Sequence, residues 1–266
     1  MPVLPARGNA VQKLDLPFPP KRMPLLRRGR PLKRWRYVGV YGPELMLCVG
    51  AARVAGIPQR WWAVALPDGT LHEGADAVRL ERWRVSAGRG AIELTIEEGD
   101  GVEVVSPHGR SYIWTRKQAG IPVRGRVRVG DREWPVDGPL GFVDDSAGYH
   151  ARHTLWRWSA GVGRALGGAA VAWNLVEGLH DSPEASERTV WIDGEPTEAE
   201  PQPFAPDLSS VGELRFAAWC AREDHTNRLL LRSDYRQPFG SFSGTLPGGL
   251  ELEYGHGVME WHDVRW

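Results

Sequence analysis

Apolar and polar residues alternate along this chain in short runs, and glycine and proline punctuate them. RWRYVGVY (34–41) and ELMLCVGAARVAG (44–56) flank Gly42-Pro43. RWWAVAL (60–66) and TLHEG (70–74) flank Pro67-Asp68-Gly69, a hairpin turn. VRLERWRVS (78–86), AIELTIEEG (91–99), GVEVVS (101–106), RSYIWTRK (110–117), VRGRVRVG (123–130) and REWPV (132–136) continue the pattern. Later runs are RTVWIDG (188–194), ELRFAAWCARE (213–223), NRLLLRSDY (227–235), FGSFSGTL (239–246), LELEYG (250–255) and GVMEWHDVRW (257–266). Successive side chains of a strand face opposite ways, so this alternation predicts half-buried strands. Turn signals recur about every 8 to 12 residues, the rhythm of sandwiches and barrels. No segment carries a capped 3.6-residue period. The expectation is an all-β, antiparallel chain.

At 266 residues the chain is long enough for two packed β units. PLGFVDDSAG (139–148) reads as the internal boundary, which gives a first unit over 31–145 and a second over 146–266. Residues 1–30 form a basic, proline-rich arm, read as a solvated tail over the domain or as a weak contact with a membrane surface. Overall charge is balanced, with 33 Lys and Arg against 33 Asp and Glu, which argues against a nucleic-acid partner. Cys48 and Cys220 are too few for a disulfide framework and form no zinc pattern. No apolar run is long enough to span a bilayer and no signal-peptide core is visible, so a cytoplasmic location is expected.

The chemistry concentrates in GYHARHTLWRWSAGVGRALGGAAVAWNLVEGLHD (148–181). His150, Thr154, Trp156 and Trp158 fall on one strand face. Folding the stretch near Gly163-Arg164 would pair His150 with Glu177, Thr154 with Trp173 and Trp156 with Val171. His153 would then meet Asn174 on the other face. A slip of one residue reverses the faces. The run is therefore either a packed hairpin or the aromatic wall of a pocket, with His153, Trp156, Trp158, Trp173 and Asn174 as ligand contacts.

Other motifs are weaker. GVGRALGG (161–168) lacks the ending of a phosphate loop, and GSFSG (240–244) sits among strand signals rather than at a strand-to-helix turn. His256, Glu260, His262 and Asp263 lie close in sequence without a third metal ligand. An edge or closing strand with exposed charges is expected there, and no metal.

RPLKRWRYVGVYG, DDSAGYHARHTLWRWSAGVG, AVAWNLVEG, VWIDGEP and YRQPFGSFSG, taken in order, resemble the blocks of the bacterial DUF2804 family. That family is distantly similar to the lipocalin-like (calycin) carotenoid 1,2-hydratases, tocopherol cyclase and fungal Diels–Alderases. The resemblance implies a lipocalin-like barrel or sandwich and an active region at mid-chain, matched by Asp144, Asp145, Tyr149, His150 and Trp156.

The physics of such a site is specific. A carboxylic acid in an apolar pocket has a raised pKa and can protonate an alkene, while tryptophan faces stabilise the resulting cation. Asp144, Asp145 and Glu177 are the candidate acids, with His150 or Tyr149 as relay. One reading is a cofactor-independent hydratase, cyclase or isomerase acting on a hydrophobic isoprenoid- or lipid-like molecule. A second is a non-catalytic binder of such a molecule. A third is a structural or stress-related protein without a ligand.

Overall fold

A computed structural model describes residues 4–54, 56–228 and 231–265. The expected strands over 44–56, 227–235 and 257–266, and the arm, each include positions outside these. The strands are β1 (Ala6–Arg7), β2 (Leu26–Arg27), β3 (Arg30–Pro31), β4 (Lys33–Tyr41), β5 (Met46–Val54), β6 (Ile57–Ala65) and β7 (Leu71–Gly74). Next come β8 (Arg79–Leu80), β9 (Arg84–Ala87), β10 (Ile92–Ile96), β11 (Val102–His108), β12 (Ser111–Val129) and β13 (Arg132–Gly148). The remainder are β14 (His153–Ala165), β15 (Ala170–Glu177), β16 (Thr189–Ile192), β17 (Glu195–Glu198), β18 (Ser210–Val211), β19 (Leu214–Arg228), β20 (Leu231–Leu246) and β21 (Leu250–Arg265).

The all-β, antiparallel expectation is met. One sheet runs β7-β6-β5-β4-β13-β12-β10-β9-β8, with β11 and β1 branching from β12, and a second runs β17-β16-β15-β14-β21-β20-β19-β18. The Pro67-Asp68-Gly69 turn forms as its residues dictate. Asp68 accepts a hydrogen bond from the Thr70 amide at 2.9 Å, and Gly69 takes φ +88. No helix among the described residues is long and apolar enough to cross a membrane.

At mid-chain the strands run longer than the turn signals suggest. RSYIWTRK and VRGRVRVG are one 19-residue strand, β12. Gly120, at φ +67, lies within its register shift and lets the strand bend without ending. Residues 139–148, read as the internal boundary, are strand as well, paired with both β4 and β12. Their glycines and small residues suit a closely flanked strand: a Cβ on Gly148 would lie 2.6 Å from the Ile113 Cα.

The alternating faces divide the core. Val38, Val40, Leu47, Val49 and Val64 share one face of the first sheet, where they meet Val85, Ile92 and Val127 from its far end. Tyr37, Tyr41, Cys48 and Phe142 point the other way and meet Trp158, Ala160, Val176 and Phe239 of the second sheet. The arm packs down as well. Val11, Phe18 and Met23 are buried with Tyr112, Trp114 and Tyr149. Arg7 reaches the second sheet, donating to the Ser186 and Arg188 carbonyls and to Thr189 Oγ1.

Candidate active site

Between the sheets the layer turns polar. β13 and β12 bring Asp144 and Lys117 together, with Nζ 2.7 Å from Asp144 Oδ1 and 3.5 Å from Glu187 Oε1. Trp35 Nε1 donates to Asp144 Oδ2 at 3.0 Å, and Thr115 Oγ1 donates to Oδ1 at 3.4 Å. From the second sheet, Trp158 Nε1 donates to Asn174 Oδ1 at 2.7 Å, and Asn174 Nδ2 donates to the Glu187 carbonyl at 2.8 Å. Lys117 Nζ also lies over the Trp158 ring, 5.8 Å from its centroid. Burial raises the pKa of both Asp144 and Glu187, against the pull of Lys117. Burial pulls Lys117 down, but the two carboxylates more than offset it.

Glu260 sits further along the layer. Trp156 Nε1 donates to its Oε1 at 2.8 Å, and Tyr235 Oη and Gln237 Nε2 donate to its Oε2 at 3.1 and 2.9 Å. Despite three donors, burial raises this carboxyl from 4.5 to about 7. Trp156, Tyr235 and His262 around it are each partly exposed, so this end of the layer borders solvent. Gln237 Oε1 is buried and unpartnered. Rotating that amide would exchange its donor for an acceptor, so Gln237 can meet Glu260 either ionised or protonated.

Histidines complete the layer. His150 packs against Trp35 at 5.2 Å and His108 at 5.6 Å between ring centroids, and His180 Nδ1 lies 2.8 Å from Ser106 Oγ. The Nε2 atoms of His108, His150 and His180 are all buried without a partner. Burial lowers all three, His180 to about 3, and Lys33, itself lowered to about 8 by burial, adds to the effect on His108 and His150. These rings are neutral at pH 7, and each can donate or accept one further hydrogen bond. Among the described residues, no group of three or more His, Cys, Asp and Glu could hold a metal ion.

Asp144, His150, Trp156, Trp158 and Asn174 thus share the inter-sheet layer. The hairpin pairing differs from the expected one: β14 and β15 pair Arg157 with Glu177, Gly161 with Trp173 and Gly163 with Val171. The turn falls at 166–169 rather than at Gly163-Arg164, and the resulting odd offset moves residues between faces. Asn174 therefore joins Trp158. Glu177 faces away and forms a half-exposed ion pair with Arg157 at 2.9 Å. Trp173 is fully buried in a separate core against Phe242, its Nε1 bonded to Ser159 Oγ. His153 pairs with Asp263 at the sheet end. Tyr149 lies under the arm and donates to the Pro24 carbonyl. Asp145 faces the opposite side of the sheet, held by Arg36 and Arg116.

The C-terminal strand corrects a further expectation. Of the edge or closing strand expected there, the edge is excluded, because β21 lies between β14 and β20, and Glu260 is buried instead of exposed. Period-two alternation in MEWH put Glu260 and His262 on one face, opposite Met259 and Trp261. Only the partner strands decide which face is interior.

A family model described as a domain of unknown function, DUF2804, matches residues 71–266. No curated protein sequence matches the chain. Several solved structures align with it. One is a candidate AttH from Nitrosomonas europaea, at 15% identity over 93% of this chain and 98% of that one, with a TM-score of 0.42. Another is CghA, solved with Sch210972, at 12% identity over 88% of each chain, with a TM-score of 0.38. Kievitone hydratase from Nectria haematococca aligns at 9% identity over 86% of this chain and 88% of that one, with a TM-score of 0.45.

Proposed function

The chain belongs to the DUF2804 family, and we propose that it is an acid catalyst acting on a hydrophobic unsaturated molecule, with Glu260 as the proton donor. One observation carries this reading. Glu260 is a buried carboxyl whose pKa stands at about 7, bonded to the indole of Trp156 and bordered by partly exposed aromatic rings. A carboxylic acid tuned to neutrality combines the right protonation state with enough acidity to transfer its proton.

The Glu260 O–H adds its proton to one alkene carbon, and the positive charge on the other faces the ring of Trp156. Water attack at that carbon, with return of a proton to Glu260, is hydration. Attack by an internal nucleophile is cyclisation, and loss of a different proton is isomerisation. The buried, unpartnered Nε2 atoms of His108, His150 and His180 provide hydrogen bonds for a polar group of the substrate. Asp144, clamped by Lys117 and Trp35, holds the layer in place.

The test is deuterium incorporation from heavy water into a panel of apolar alkenes, including prenylated phenols and linear isoprenoids. Wild-type protein incorporates deuterium into at least one. Glu260→Gln reduces the rate by about a hundredfold or more, in the range of a lost general acid. Unchanged incorporation in Glu260→Gln removes Glu260 from the role.

A further inference from the structure

The first sheet carries a second feature, on the face turned away from the second sheet and unconnected with Glu260. A groove of about 600 Å³ opens there, lined by six arginines and two carboxylates, Glu103 and Asp145. Its size suits a small molecule. Arg36 and Arg116 are neutralised: both bond to Asp145 and to Glu98. Arg34, Arg53 and Arg60 have no carboxylate within 4 Å among the described residues.

The strand register sets these cations side by side. Arg34 of β4 stands directly opposite Arg53 of β5, and Arg60 of β6 lies in one row with Ala51 and Arg36. Like charges directly opposite on neighbouring strands repel. Protein groups do not compensate them, and Arg36 Nε, in the same row, is buried without a hydrogen-bond partner. The intervening side chain, Ala51, is small and leaves the space between Arg36 and Arg60 open. Pro58, Pro19 and Pro20 add apolar wall.

We infer that this groove binds a small amphipathic anion: an apolar body lying on Ala51 and the prolines, with its carboxylate, phosphate or sulfonate held by Arg34, Arg53 and Arg60. Guanidinium forks match two oxygens of such a group. A bound anion would relieve the repulsion between the facing arginines, and the apolar walls favour an organic body over an inorganic ion.

The probe is anilinonaphthalenesulfonate, titrated against the full chain by fluorescence and competed with decanoate, decyl phosphate, decanol and inorganic phosphate. The expected result is saturable binding at one site, displaced by decanoate or decyl phosphate at far lower concentrations than by decanol or phosphate. Arg53→Ala combined with Arg60→Ala weakens the probe about tenfold or more, as expected for lost charge-assisted contacts. Arg53→Lys with Arg60→Lys retains most of the affinity, and thermal melts of both variants establish that they are folded. Equal displacement by decanol, equal displacement by inorganic phosphate, or wild-type affinity in the folded double-alanine protein would each overturn the inference. Glu260→Gln leaves probe binding unchanged; its loss there would place the probe between the sheets and refute the groove. Failure of this site is thus separable from failure of Glu260 as an acid.

Discussion

Asp144 and Asp145 are chain neighbours whose carboxylates serve opposite faces of one sheet. Asp144 accepts from Lys117 between the sheets, and Asp145 accepts from Arg116 in the groove, each at 2.7 Å. Strand geometry alone imposes the division, because β13 turns each successive side chain through the sheet.

Lys117 neutralises a buried pair of carboxylates, so Lys117→Met strands both. Removing one member of a buried ion pair costs about 3 to 5 kcal/mol. Denaturant unfolding should show that loss, and adding Asp144→Asn to Lys117→Met should recover part of it. A double variant no more stable than Lys117→Met alone would remove the coupling.

Protonation of Glu260 gives a signed pH dependence. Its folded pKa, about 7, lies above its ordinary 4.5, so its contribution is fully present below pH 4.5 and is lost as pH rises to about 7. His180, lowered from 6.5 to about 3, acts in reverse: its contribution is present above pH 6.5 and is lost as pH falls toward 3. Glu260→Gln cannot ionise. Its stability relative to wild type should therefore rise by on the order of 3 kcal/mol between pH 4.5 and 8. Parallel stability curves for the two proteins would contradict the shift.

Glu177→Gln should matter little. Its pair with Arg157 is partly exposed and points away from the polar layer, and such pairs contribute about 0 to 1 kcal/mol. Deuterium incorporation by this variant should match wild type. A large loss would mean that the hairpin is paired differently from the register described.

Trp173 is core, and Gly161 is what makes room for it. A Cβ on Gly161 would lie 2.2 Å from the indole. Gly161→Ala should cost about 1 to 3 kcal/mol through overpacking, and Trp173→Ala about 3 to 5 through the cavity left behind. Melting curves of the two variants check both figures.

Strand content was legible because alternation and turn residues are local signals. Pro67-Asp68-Gly69 encodes its own hairpin. The long strand over 111–129 was harder, because Gly120 and Pro122 look like a break and instead sit in an irregular stretch of one ladder. Half of the site could be read from one stretch, 144–174, because its aromatic residues alternate. The rest could not. Lys117, Glu187, Tyr235 and Glu260 meet from four separate strands and loops, and nothing near any of them in sequence signals the others. The hairpin pairing failed for a smaller reason: Leu166-Gly167-Gly168 forms the turn, a few residues beyond the Gly163-Arg164 position, and an odd shift in register exchanges the faces.

The contact of Arg7 with Ser186 spans 179 residues of chain. During synthesis, therefore, the arm is made long before its anchor exists. It can lie against Tyr112 and Trp114 once β12 has formed, yet its tie to the second sheet must wait for the residues around 186–189. Arg7 thus fastens the start of the chain to the second sheet through a contact that can form only after most of the chain has been made.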